Sequence, residues 1–384
     1  MIVVHAKQPF PERWTTAIFL AGPTPRDPAV PSWRPAALEH LQRRGFDGVV
    51  FVPEDASGEY RGDYLDQVEW ECDALRFADR IVFWIPRAMD TLPGFTTNVE
   101  FGRWAASDKV VLGFPEGAPK TRYLAWLAAE EQIRVTHSLE DTLDAALLGA
   151  QPALRSGGER CVPQHIWHTP VFQAWYEALR KAGNRLESAE PLFQYRVAWS
   201  GQLFAWILKV NVWVAAEQRF KSGEWVFARA DIAAAVLYRR APVLLESEVV
   251  LVREYRAPAR TSDGFVHELP GGSAPGGGDD PRALAAEEIH EETGLVIEAD
   301  RLRPVGARQV AATVSAHVAH VFAAEISEAE LAQARALAEA GTPHGAGGSE
   351  RTVVEVTTLA AMLSDNRADW STIGMAVTAL LGPA

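Results

Sequence analysis

The chain reads as an α/β protein in two parts, and three observations lead there. Over residues 1–150, short apolar runs rich in β-branched residues alternate with amphipathic stretches of helical length, the pattern of a doubly wound parallel sheet covered on both faces. From residue 161 to 384, strand-like runs follow one another with few helices between them, which predicts a mixed sheet. Between the two, residues 151–160 (QPALRSGGER) collect Gly, Ser and Pro breakers and form the expected linker.

The totals agree with this division. At 384 residues the chain is long enough for about two domains, each with its own core, and 48% hydrophobic with 23% charged residues excludes a disordered protein. A net charge of -13 argues against nonspecific binding to nucleic acid or to anionic membranes, so any phosphate-bearing substrate must be drawn in by local Arg clusters or metal. Cys72 and Cys161 lie far apart and suggest neither a disulfide framework nor a metal knuckle. The amino terminus lacks a basic start followed by a long apolar core, and the longest apolar stretch, near residues 203–216, is interrupted by Lys209. It is expected to be a core strand, and the protein to be cytoplasmic.

The first part is taken in order. Residues 17–20 read as a buried strand, followed by the Gly/Pro loop AGPTPRD and a helix from near Ser32 through Leu41. Residues 45–54 give a second strand that ends in acidic residues. The run YLDQVEWECDALRFAD is an amphipathic helix whose expected buried side carries Leu65, Val68 and Leu75. DRIVFWIPR is a third strand, GFTTNVEFGRWAASD a loop entering a helix, and KVVLGFP a fourth strand. In such a sheet the ligand site lies at the carboxyl ends of the strands, here AGPTPRD, PED, IPR and TTNVEFG.

That set of strand ends, spread over roughly residues 15–145, resembles the nucleoside 2-deoxyribosyltransferase-like family. The family has an AGP loop after the first strand, an Asp before the third, and an EFG or EIG nucleophile motif at a helix start. The resemblance implies that Glu100 is the nucleophile and that Asp79 takes part in catalysis. A carboxylate can attack the anomeric carbon of a nucleoside, expel the base and hold the sugar until water or another base arrives. A helix N-terminus beside Glu100 is expected to favour its ionised form. Gly22, Pro23, Arg26, Arg34, Arg87 and Asn98 are the expected substrate-binding residues, the three arginines pointing to a phosphorylated substrate. The base-contacting acid that the family places six residues before the nucleophile is Gly94 here.

In the second part, a helix (VFQAWYEALRKAG) leads into strands FAWILKVNVWVAA, EWVFARA, DIAAAVLYRR and VVLVREYRAPA. These feed ELPGGSAPGGGDDPRALAAEEIHEETGL, a Gly-rich loop running straight into a carboxylate helix. Residues three and four apart share a helix face, so Glu288, Glu291 and Glu292 project together and repel one another. A solvated acidic face would carry the same residues, but the Gly-rich loop before them lets backbone approach a ligand closely, which favours a hard cation. This stretch resembles the Nudix box. Glu288, Ile289, Glu291, Glu292, Gly294 and Leu295 fall on its pattern, while Asp279 replaces the first Glu and Glu287 stands in place of the box Arg.

LVREYR followed by HELPGG resembles the ADP-ribose and nucleotide-sugar pyrophosphatase branch. The resemblance implies an α/β/α sandwich, Mg²⁺ (with Mn²⁺ as substitute) on Glu268, Glu288, Glu291 and Glu292, Arg253 and Arg256 on substrate, and Glu291 with Glu350 in catalysis. A homodimer is expected, because both families commonly complete their sites across subunits. Together these readings predict a bifunctional enzyme: Nudix hydrolysis of an ADP-ribose-like substrate, joined to N-glycosidase or deoxyribosyltransferase activity on a nucleotide or NAD. Two other readings stay open. One is a nucleotide-binding sensor with degenerate sites; the other is a nucleoside transferase with a structural Nudix half.

Overall fold

A computed structural model describes residues 1–25, 29–56, 64–148, 150–197, 200–274, 280–345 and 351–382. Its contacts gather into two compact units. One comprises residues 1–168, 179–191 and 209–224; the other comprises residues 169–178, 192–208 and 225–384.

In the first unit the principal elements are β1 (Ile2–His5), β2 (Ala17–Ala21), α1 (Arg34–Arg43), β3 (Val49–Val52), α2 (Tyr64–Phe77) and β4 (Arg80–Trp84). They continue with α3 (Phe95–Trp104), β5 (Val110–Gly113), α4 (Arg122–Glu130), β6 (Val135–Thr136) and α5 (Leu139–Leu147). The six strands form one parallel sheet in the order β1-β3-β2-β4-β5-β6. Parallel strands need crossovers and are covered on both faces, so β2 to β5 are almost wholly apolar. One face packs Trp70, Ala74 and Leu75 of α2, Phe101 of α3, and Leu124 and Ala128 of α4. The other packs Ala37 and Leu41 of α1 with Leu143, Ala145 and Ala146 of α5. The expected inward side of α2 is corrected at one residue: Leu75 is buried, whereas Leu65, in the first turn, is exposed. The short edge strand β1, with Ile2 to His5 paired to Val49 to Val52, was not anticipated.

From β2 the chain steps outward to β3 on one side, then to β4 on the other. The direction of winding therefore reverses between β2 and β4, and their carboxyl ends flank the crevice where sheets of this kind bind ligands.

Next come α6 (Pro170–Lys181) and the long strands β7 (Arg185–Arg196), β8 (Leu203–Val214) and β9 (Arg219–Arg229), a three-stranded sheet in the order β9-β8-β7. The apolar stretch around Lys209 is thus a strand, as its interruption by charge implied.

The second unit holds β10 (Ile232–Arg239), β11 (Glu248–Tyr255), β12 (Phe265–Glu268), α7 (Pro281–Thr293), β13 (Arg303–Gln309) and β14 (Val318–Glu325). It ends with α8 (Glu328–Ala340), β15 (Val353–Thr358), α9 (Leu359–Ser364) and α10 (Trp370–Leu381). The main path of its sheet is β12-β11-β10-β14-β13, with Gly271–Gly272 paired to β10 and β15 paired to β11. It is mixed, because β10 and β14 run parallel while the other pairs are antiparallel. On one face Ala285 and Ile289 of α7 and Leu331 and Ala334 of α8 meet Ala233, Ala235 and Leu237. On the other, Leu359 and Met362 of α9 and Ala376, Ala379 and Leu380 of α10 meet Ala234, Val236 and Leu251. Period-two alternation along β10 assigns these residues to opposite faces. No helix among the described residues is long and apolar enough to cross a membrane.

Candidate functional site

The crevice between β2 and β4 is built first from glycine. Gly22 follows β2, and a Cβ there would lie 2.2 Å from the Trp84 carbonyl oxygen, so no larger residue lets the loop pass the end of β4. Trp33 Nε1–H donates to the Pro23 carbonyl at 3.2 Å, fixing the next residue.

Arg34 then ties the loop down. Its Nε donates to Leu20 O at 3.1 Å, Nη2 to Gly22 O at 2.8 Å, and Nη1 to Thr24 Oγ1 at 3.0 Å and Glu54 Oε1 at 2.5 Å. With 1% of its surface exposed, this guanidinium, expected on substrate, is bonded within the protein. Arg87 and Asn98, also expected on substrate, are bonded to each other. Arg87 Nη2 donates to Asn98 Oδ1 and Nη1 to Lys120 O, so the two predicted ligand residues hold each other and pin α3 to the loop before α4. Arg26 lies outside the described residues.

Glu100 stands in the second turn of α3, half-buried. Burial and the nearby Glu71 carboxylate push its pKa up from 4.5 to about 7, against the pull of Arg34. The expected influence of the helix N-terminus is outweighed, because that field fades within the first turn. Burial also raises the pKa of Glu71, opposed by its Gln67 hydrogen bond and by Arg34. Glu71 was missed by sequence reasoning. Its signal was available, since a polar residue at the start of the ECDAL segment interrupts the half-buried side of α2. Glu71 and Arg34 are thus the charged groups that bear on Glu100 in opposite directions, and Glu100 is suited to hold a proton near neutral pH.

Asp79 is elsewhere. It lies at the amino end of β4, fully buried, where it accepts from Ala17 N at 2.8 Å and from Arg155 Nη2 at 2.6 Å. Arg155 is itself 0% exposed and donates onward to Val162 O at 2.7 Å. Asp79, expected to take part in catalysis, thus anchors the amino end of β4 to Ala17 and Arg155, opposite the crevice.

In the second unit, Asp280 caps α7 by accepting from Arg282 N at 3.0 Å, and Gly294, at φ 72°, ends it in the left-handed conformation. The helix sets Glu288 and Glu292 against the glycine pair. A Cβ on Gly272 would fall 2.0 Å from Glu288 Oε1, and Gly271 N–H donates to Glu292 Oε2 at 2.8 Å. Glu292 is 7% exposed, and burial, with Glu288, Glu268 and Glu254 around it, pushes its pKa up to about 8 against the Gly271 hydrogen bond. Glu291 and Glu287 are exposed on the flank of α7. Glu350 and Asp279 lie outside the described residues.

Strand register sorts the remaining candidates. Val252 pairs with Glu268 and Arg253 with His267, so Glu254 and Glu268 share the α7 face while Arg253 lies on the other. Arg253 rests 4.9 Å from the Phe265 ring centre, which corrects its placement beside Arg256. Glu254 was not foreseen, although two residues after Val252 is where alternation puts it. Arg256 Nη2 lies 2.8 Å from Glu254 Oε2 and 3.0 Å from Glu268 Oε1. Arg229 donates to Ser273 Oγ at 2.9 Å and stacks 4.8 Å from the Phe204 ring centre. Among the described residues, no three His, Cys, Asp or Glu side chains are gathered closely enough to hold a metal ion.

Comparison with known proteins now bears on the first unit. Residues 15–118 match the sequence model of a family described as nucleoside 2-deoxyribosyltransferase like. This stretch is a nucleoside 2-deoxyribosyltransferase-like domain. The match spans β2 through β5 and includes Gly22, Arg34, Glu71 and Glu100. Among curated proteins none matches the chain.

Proposed function

We propose that the deoxyribosyltransferase-like domain cleaves or exchanges an N-glycosidic bond through Glu100. The observation that carries this reading is the raised pKa of Glu100, which Glu71 pushes up and Arg34, bonded to the Gly22 carbonyl at the end of β2, pulls down. In the reaction an ionised Glu100 oxygen bonds to the anomeric carbon as the carbon–nitrogen bond breaks, and the base departs with the electron pair. Glu71, its pKa raised by burial, is suited to return a proton to that nitrogen. Water or a second base then opens the glycosyl ester. Because Arg34 and Arg87 are engaged within the protein, the reading centres on the glycosidic bond rather than on a phosphate group. The test is incubation with NAD and a panel of nucleosides, products read by mass spectrometry: wild type releases free base and Glu100→Gln does not. Base release by Glu100→Gln at the wild-type rate would remove Glu100 from the chemistry.

For the second unit we propose Nudix-type hydrolysis of a diphosphate such as ADP-ribose. The carboxylates that would hold a divalent cation are Glu292, Glu288, Glu268 and Glu254, whose charges bear on Glu292, with Arg256 between Glu254 and Glu268. Mg²⁺ bound there would offset charge developing on the diphosphate oxygens. Gly271 orients Glu292, Gly272 leaves room for Glu288, and Arg256 offers a planar fork to phosphate. Joined in one chain, the two activities would form consecutive steps, base release from a dinucleotide followed by diphosphate cleavage, in a cytoplasmic homodimer. Release of AMP from ADP-ribose with Mg²⁺, lost in Glu292→Gln, is the expected result. Its absence from the wild type would sink this half of the proposal.

A further inference from the structure

Just past the carboxyl end of β4, Arg87 is 6% exposed, and among the described residues its guanidinium has neutral partners alone. Nη1 donates to Lys120 O at 2.9 Å and Nη2 to Asn98 Oδ1, while burial lowers its pKa with no carboxylate to raise it again. A guanidinium has more N–H groups than the two used here, and Nε–H is buried without an acceptor among the described residues. The bond also fixes Asn98, because an amide whose oxygen is taken by Arg87 turns its NH2 donors away from that guanidinium. Asn98 stands on α3 two residues before Glu100, and Gly94, six before it, contributes no side chain. A Cβ on Gly94 would lie 3.4 Å from Pro23 Cβ and 3.7 Å from Arg87 Nη2, so that nitrogen sits in the crevice beside the loop that follows β2.

We propose that Arg87 and Asn98, locked together, select the departing base by presenting N–H donors to two adjacent acceptors, O6 and N7 of a 6-oxopurine. The inference rests on the glycosidic reading above and names the base on which it acts. The free sides of the pair carry donors only. A base edge with an amino group would set donor against donor, whereas O6 and N7 of guanine or hypoxanthine both accept. An arginine fork meets two neighbouring acceptors with parallel bonds, and uracil, whose two oxygens flank an N–H, has no such edge. A buried guanidinium without a counter-charge is a cost to the free protein, and an electron-rich base edge offsets it on binding. As the carbon–nitrogen bond breaks, its electron pair passes to the base, so donors on O6 and N7 hold the departing ring more tightly than the intact nucleoside.

The test compares matched nucleosides with the full chain, inosine against adenosine and deoxyinosine against deoxyadenosine, free base being quantified by chromatography and hypoxanthine and adenine binding by calorimetry. Wild type should favour the 6-oxopurine member by roughly 10–100-fold in kcat/KM. Arg87→Gln should bring that ratio to within about threefold, chiefly by slowing the 6-oxopurine member. A role confined to pinning α3 would slow both members alike and leave the ratio where it was. Gly94→Asp, which sets a carboxylate against Arg87 Nη2, should lower the ratio with the arginine still present. If wild type and Arg87→Gln share one ratio, or wild type favours the adenine member, base selection by Arg87 is wrong although the Glu100 chemistry stands. If wild type releases no base, the glycosidic reading falls and calorimetry decides the inference alone. Tighter binding of hypoxanthine than of adenine by wild type, lost in Arg87→Gln, upholds it; equal binding overturns it.

Discussion

Replacing Glu100 by Gln should make the first unit more stable while abolishing its chemistry, and the gain should depend on pH in a defined direction. Folding raises the pKa of this carboxyl from 4.5 to about 7. Between those values the folded state holds a proton that the unfolded chain releases, so stability falls as pH rises through the window and then levels off. The shift corresponds to roughly 3 kcal/mol at full strength, at about 1.4 kcal/mol per pKa unit. Gln resembles the protonated acid and avoids this penalty. At pH 4 the variant and wild type should therefore melt together. At pH 8 the variant should melt higher by roughly 6–12 °C, taking about 2–4 °C per kcal/mol for a unit of this size. Differential scanning calorimetry of both proteins at the two pH values measures it. An equal difference at pH 4 and pH 8, or none at pH 8, would refute the account of a buried, crowded Glu100.

The remaining predictions concern the anchors. Asp79→Asn leaves Arg155 buried without its counter-charge and should lower stability by about 3–5 kcal/mol in denaturant titrations, whereas Asp79→Leu combined with Arg155→Met should recover part of the loss. Gly22→Ala drives a Cβ toward the backbone oxygen of Trp84 and should reduce both stability and base release, by at least about 2 kcal/mol for stability. Gly272→Ala meets only the mobile end of Glu288, so its melting temperature should stay near wild type while AMP release from ADP-ribose falls by roughly 100-fold through displacement of that carboxylate.

The layered architecture was legible because periodicity reports burial. Alternating apolar runs and amphipathic helices gave the parallel sheet of the first unit, and strand after strand gave the mixed sheet of the second. Gly22 and Glu100 came from the family resemblance and Glu288 and Glu292 from helix spacing, and further acids bear on Glu100 and Glu292 in the structure. What local spacing could not supply was pairing. Arg34, Arg87 and Asn98 look like ligand residues in one dimension, but their hydrogen bonds to Gly22, Lys120 and each other are set by loops meeting in space. Asp79 finds Arg155 across 76 positions, a distance no motif spans. Arg253 was paired with Arg256 through the resemblance of LVREYR to a substrate-gripping strand, yet a single step along a strand changes its face. The same rule, applied to Val252, would have located Glu254. Leu65 was misassigned because apolar spacing near a helix start does not tell how far the sheet beneath extends.

The most direct measurement is base release from NAD and a nucleoside panel by wild type and Glu100→Gln, followed at pH 8 where the wild-type carboxyl is ionised. Wild type should liberate free base from at least one member, with a glycosyl adduct on Glu100 captured by acid quench and mass spectrometry. A variant that liberates base as fast as wild type, or a wild type that leaves every panel member intact, would contradict the account.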